Sequence, residues 1–189
     1  MTAEVFTAPM ELVALGTPIP DDDYKIYLVS QKLTRNARGL GVLPVTVNVA
    51  IGNSNEMAIK HILEAFTKSD LYKDPAMYAK CDFYNSDDKA TATVGVEVKG
   101  RVDIPHNDWP TGFVDVHKVE AHKPHIKYYY VFIYNNGIYY TPYNRKRFNS
   151  YNIDRSQTEY RPDLGRKEIS PKYEVPYTDM RLMCSFNDE

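Results

Sequence analysis

At 189 residues, with 43% hydrophobic and 25% charged side chains, the chain has the size and make-up of one globular domain with a sizeable core. A formal net charge of −2 excludes a molecule-wide positive field, so any nucleic-acid partner must be held by a local basic patch. Its two cysteines, Cys81 and Cys184, make no disulfide framework, and there is neither a membrane-length apolar run nor a basic, apolar leader; a soluble, intracellular protein is expected.

Residues 1–23 read as an irregular arm ending in Pro18, Pro20 and the aspartates 21–23. Residues 24–30 fit a strand or the start of a helix equally well, and 36–41 form a basic, glycine-containing turn. Val45, Val47, Val49 and Ile51 alternate with small or polar residues, the period of a half-buried strand, which stops at Gly52. A helix is expected next. Asn53 is placed to cap it, with Glu56 three residues on as in a capping box, and Ile59, Ile62, Leu63 and Phe66 make one apolar stripe. Residues 77–84 read as a strand, 85–89 as a polar turn, and 91–102 as a strand rich in threonine and valine. After a loop over 103–112, residues 113–119 alternate as a strand.

The runs 128–134 and 138–143 are aromatic and β-branched, and Asn135-Asn136-Gly137 between them is a strong hairpin signal. Eleven of the sixteen tyrosines fall between Tyr128 and Tyr177. Residues 143–172 are polar and basic with weak periodicity, and a last short strand or helix is expected over 177–186. The whole reads as one α+β domain with a central mixed sheet flanked by helices. It divides into an arm (1–43), a core (44–143) and a tyrosine-rich basic extension (144–189).

The strongest chemical signal lies between Asp82 and Arg101. Residues i and i+2 of a strand share a face, so Glu97 and Lys99 project together while Val96 and Val98 enter the core. A carboxylate and an ammonium on one face, with a second carboxylate on a neighbouring strand, suit a hard cation and a phosphate. The sequence here resembles the PD-(D/E)xK nuclease superfamily over residues 53–143. That family's pattern is an acid on an early helix, an Asp on a strand and (D/E)xK on the next strand. Glu56, with Glu64 as a substitute, matches the helix acid, Asp82 the Asp, and Glu97 and Lys99 the last pair.

The resemblance implies a restriction-endonuclease-like core and Mg²⁺- or Mn²⁺-dependent cleavage of nucleic acid, DNA and endonucleolytic action being expected. Asp82 and Glu97 would be the metal ligands, and a homodimer would suit double-strand cleavage. Cys81 stands where the family often has proline. A tight hairpin about Asp87 and Asp88 sets Asp82 opposite Thr93, so a bulge near Asp82 is expected to bring it to Glu97.

Arg145, Lys146 and Arg147 form the densest basic cluster, which with Arg101 is the expected contact for a phosphate backbone; Lys32, Arg35 and Arg38 make a weaker patch. No nucleophile elbow, phosphate-binding loop or dinucleotide fingerprint is present. Two other readings stand beside the nuclease. One is a non-enzymatic structural or interaction protein that docks through its aromatic sheet. The other is a metalloprotein built on His106, Asp108, Asp115, His117, His122 and His125, with Asp115 and His117 on one strand face.

Overall fold

The apolar stripe after Asn53 folds as helix, in two pieces. The computed structural model describes residues 12–14, 52–53, 55–76, 79–101, 105–161 and 166–186. Residues 55–58 are helical, Ile59 interrupts them with φ −98° and ψ 1°, and helix α1 spans Lys60–Thr67. Ile59, Ile62 and Leu63 are buried, as their spacing predicts. The expected capping box is absent. Gly52 and Asn53 are themselves helical, and the Glu56 carboxylate pairs with Lys73. The expectations for 24–30, 36–41 and 45–51, and the patch at Lys32, Arg35 and Arg38, lie outside the described residues.

The strands are β1 (Leu12–Ala14), β2 (Tyr72–Lys73), β3 (Phe83–Tyr84), β4 (Val94–Arg101), β5 (Thr111–Asp115), β6 (Lys127–Tyr134), β7 (Gly137–Pro142), β8 (Ile153–Asp154), β9 (Thr158–Arg161), β10 (Arg166–Ile169), β11 (Lys172–Pro176) and β12 (Arg181–Phe186). Seven of them form the main sheet, in the order β1-β12-β7-β6-β4-β3-β2. The pair β4–β6 is parallel and the other pairs are antiparallel, so the sheet is mixed and the fold is α+β. Strands β5, β11 and β8 form a second sheet, and β9 pairs with β10 alone.

The β6–β7 hairpin turns at Asn135 and Asn136, where it was expected. Gly137 is required there by close approach: a Cβ on it would lie 2.6 Å from the carbonyl oxygen of Cys184 in β12. The arm is not wholly irregular, because Leu12–Ala14 adds an edge strand to β12. Nor is the segment after residue 143 set apart from the core. It supplies β12 to the main sheet and β11, the partner of β5. The strand expected over 113–119 ends at Asp115, and Val116–Glu120 forms a short helix, α2. Arg145–Phe148, in the segment of weak periodicity, is one helical turn, α3, whose Asn144 side chain accepts a hydrogen bond from the Arg147 N–H.

Alternation along the central strands sorts their side chains to two faces. Val96, Val98, Val131 and Ile133 face Ile59, Ile62 and Leu63 in one core cluster. Tyr130, Phe132 and Tyr134 face Val114, Val119, Phe148, Tyr173 and Val175 in another. The helical stripe therefore covers one side of the sheet, and the second sheet with α2 and α3 covers the other. Phe66 extends the first side with edge contacts to Tyr129 and Tyr140, at ring centroid distances of 5.1 Å and 4.6 Å.

Candidate functional site

Glu97 and Lys99 share the face that looks toward the second sheet. In the parallel register Glu97 lies beside Tyr130 and Lys99 beside Phe132. Asp82 joins them without a bulge. The connection between β3 and β4 is a long loop over 85–93, closed by the Asn85 side chain, which accepts from the N–H groups of Thr93 and Val94 at 2.8 Å and 2.9 Å. This loop pairs Phe83 with Val96 and Tyr84 with Gly95, so that one step further Asp82 stands alongside Glu97. The expected strand over 77–84 is accordingly short, and Cys81 and Asp82 precede it. The Asp82 N–H donates to the Val96 carbonyl at 3.0 Å, and its carboxylate accepts from the Val98 N–H at 2.6 Å.

The site is a chain of charges. Glu97, 1% exposed, pairs with Lys99 at 2.9 Å and with Lys118 from α2. Lys99 also pairs with Asp115 at the end of β5, at 2.8 Å, and Asp115 pairs with Lys172 across the β5–β11 register. Glu56 pairs with Lys73. Glu64, the alternative helix acid, is elsewhere: it pairs with Lys60 at 2.5 Å and accepts from the Leu71 N–H.

These environments pull the acids apart. Burial pushes the Asp82 carboxyl up to about 7, helped by the nearby charges of Glu97 and Glu56. Burial likewise raises Glu56 despite Lys73. Asp115 goes the other way: burial opposes its charge, but Lys99 and Lys172 hold it well below the usual carboxylate range. Burial also opposes the Lys99 ammonium, yet Glu97 and Asp115 hold it well above the usual lysine range. Cys81, buried next to this group, has its thiol pushed far up by burial and by Glu97, which makes it a poor nucleophile.

The donor set suits a hard divalent cation in kind, since Asp82, Glu97 and Glu56 offer carboxylate oxygens alone. One of them, Glu97 Oε2, is buried with no hydrogen-bond partner. A buried carboxylate oxygen without a partner is costly, and a cation would satisfy it. As the side chains stand, no three His, Cys, Asp or Glu residues among the described ones are placed to hold a metal, and Lys118 supplies the positive charge at Glu97. The donor types and the orphaned oxygen suit Mg²⁺ or Mn²⁺, while the side-chain placement does not yet gather three ligands and Lys118 competes at Glu97.

The histidines are not gathered. His106 stacks on Tyr139 at 3.7 Å, His122 stacks on Tyr128 at 3.7 Å, and His117 is exposed on α2. Asp115 and His117 do not share a strand face, because the helix begins between them. Of the basic residues, Arg145 and Lys146 are exposed, Arg147 reaches Asp179 at 4.0 Å, and Arg101 is partly buried at the end of β4. Sequence reasoning missed Lys73, Lys118 and Lys172 altogether, and placed Asp115 with the histidines. None of these lies at a spacing that links it to Glu97 before the chain is folded.

Among the described residues no helix is long and apolar enough to cross a membrane. Comparison with protein-family models, curated proteins and solved structures finds no match to this chain.

Proposed function

We propose that the protein is a metal-dependent nuclease with a restriction-endonuclease-like core, acting on nucleic acid and on DNA in particular. One observation carries this reading: the β3–β4 register sets Asp82, the residue before β3, alongside Glu97, so the family's Asp position lies next to the strand that bears the ExK pair. The order of elements supports it too, with a helical acid at Glu56, then Asp82, then Glu97 and Lys99 on the next strand of a mixed sheet.

Asp82 and Glu97 would hold Mg²⁺ or Mn²⁺, with Glu56 completing the set. A bound metal in such a site lowers the pKa of its water and neutralises charge on the phosphate. Lys99 stays fully charged and is fixed between Glu97 and Asp115, so it presents a positioned donor to a water or to a phosphate oxygen gaining charge. Asp115 acts through Lys99 and is a positioning residue. Arg145 and Lys146 supply exposed charge for the backbone phosphates.

A second reading treats the ion chain as purely structural, and the balanced Lys99–Asp115–Lys172 end favours it. Incubation of plasmid DNA with the protein and Mg²⁺ separates the two. Cleavage is expected in the wild type, reduced by about 10²–10³-fold in Asp82→Asn and in Lys99→Gln, with unchanged circular dichroism. Equal cleavage by all three proteins, or none by the wild type with Mg²⁺ or Mn²⁺, removes the nuclease reading.

A further inference from the structure

The charge chain does not end at Glu97. Tyr130, its neighbour in the parallel register, places its hydroxyl 2.8 Å from His122 Nε2, and that hydroxyl feels the Glu97 and Asp115 charges. His122 in turn lines a cavity of about 780 Å³ between the loop after α2 and the start of α3. The cavity thus lies one tyrosine away from the proposed catalytic carboxylates.

Its walls are aromatic. Tyr143 meets the His122 ring edge-on at 4.3 Å, and Tyr173 closes another side. Burial pushes His122 down to about 4, so its ring is neutral at physiological pH; with Tyr128 stacked on it at 3.7 Å it shapes the wall and brings no charge. Its Nδ1 has no hydrogen-bond partner. At the rim Lys123 and Arg145 are exposed and carry no ion pair among the described residues, while Glu120 is the one carboxylate of the lining. Asn144 and Asn149 add amide groups that can meet the edge of a base. An aromatic cleft with unpaired cations at its mouth has the make-up of a site that takes a flat heterocycle joined to an anion. Its volume suits one small molecule or one residue of a polymer, and a base inside a duplex cannot enter it.

We propose that this cavity holds one unpaired nucleotide of the substrate strand, the base beside Tyr143 and Tyr173 and the phosphate at Lys123 and Arg145. The strand as source rests on the nuclease reading; the recognition chemistry does not. The substrate is then single-stranded or frayed nucleic acid.

The test is fluorescence anisotropy of the full chain with a labelled single-stranded DNA dodecamer, in EDTA so that cleavage plays no part. The dodecamer is expected to bind roughly tenfold or more tightly than the matching blunt duplex, with deoxyadenosine monophosphate competing for the site. Tyr143→Leu and Arg145→Gln are each expected to weaken strand binding about tenfold. If Tyr143→Leu does not fold, Arg145→Gln decides alone, since Arg145 is exposed. Wild-type affinity in the folded variants overturns the proposal. So does equal binding of strand and duplex, or binding of the mononucleotide without the strand. A protein that binds the strand in this way but never cuts DNA loses the nuclease reading and keeps the cavity.

Discussion

Asp115 and Asp82 are both aspartates beside a lysine-rich core, yet they sit at opposite ends of the ionisation scale. Asp115 lies between two ammonium groups and is locked as an anion. Asp82 has a backbone N–H at 2.6 Å, two carboxylates in electrostatic reach and only the more distant charge of Lys118 in its favour. One end of the site is satisfied and the other is left short of positive charge. The difference separates an ion pair that holds the fold from a carboxyl that takes up a proton near neutral pH.

The largest break in this comparison comes from Asp115→Asn. It leaves Lys99 with Glu97 and takes the Asp115 carboxylate from Lys172, and removing one partner of a buried pair costs about 3–5 kcal/mol. Denaturant unfolding at pH 7 should show that loss. The lowered folded pKa of Asp115 means its contribution is present above the unfolded value, near pH 4, and fades as the pH falls below it. The variant should therefore differ least from wild type in acid.

Asp82→Asn should bend the curve the other way. A folded pKa of about 7 against an ordinary aspartate value of about 3.9 means the wild type loses stability as the pH rises through that window. Without that penalty the variant should be more stable than wild type at pH 8, by roughly 2–4 kcal/mol after allowance for partial exposure, and level with it near pH 3. A variant destabilised at pH 8 as strongly as Asp115→Asn would erase the contrast. The smallest effect belongs to Glu64→Gln. That residue forms a half-exposed i,i+4 pair, so thermal unfolding should change by no more than about 0.5 kcal/mol and Mg²⁺-dependent cleavage should stay at wild-type rate.

Local signals were legible where a local force sets the structure. The Asn-Asn-Gly turn and its flanking aromatic strands folded as read, and so did the shared face of Glu97 and Lys99, because strand period and turn chemistry act over few residues. The place of Asp82 was legible only in part. A tight turn at 87–88 fits the polar residues there, but Asn85 reaches across to Thr93 and Val94 and sets a wider loop, and with it the register. Residues 113–119 misled because Val114 and Val116 continue a strand alternation, whereas Val116 and Val119 fit helical spacing. Lys73, Lys118 and Lys172 were invisible for a simpler reason: an ion pair across a fold leaves no periodicity in the chain.

That last feature bears on how the molecule assembles. Lys172 lies 57 residues from Asp115, Lys118 lies 21 from Glu97, and Lys73 lies 17 from Glu56. Strand β4 meets β3 through a nearby loop but meets β6 only after the crossover that carries β5 and α2. Contacts of such separation are slow to form, because the chain loses loop entropy before burial compensates for it. By that rule the Asp115–Lys172 end of the charge chain closes after the β6–β7 hairpin, whose strands are neighbours in sequence. A nascent or partly opened chain can hold its hairpins and its helix while the site is still in pieces, so the chemistry proposed at Glu97 would wait for the completed fold.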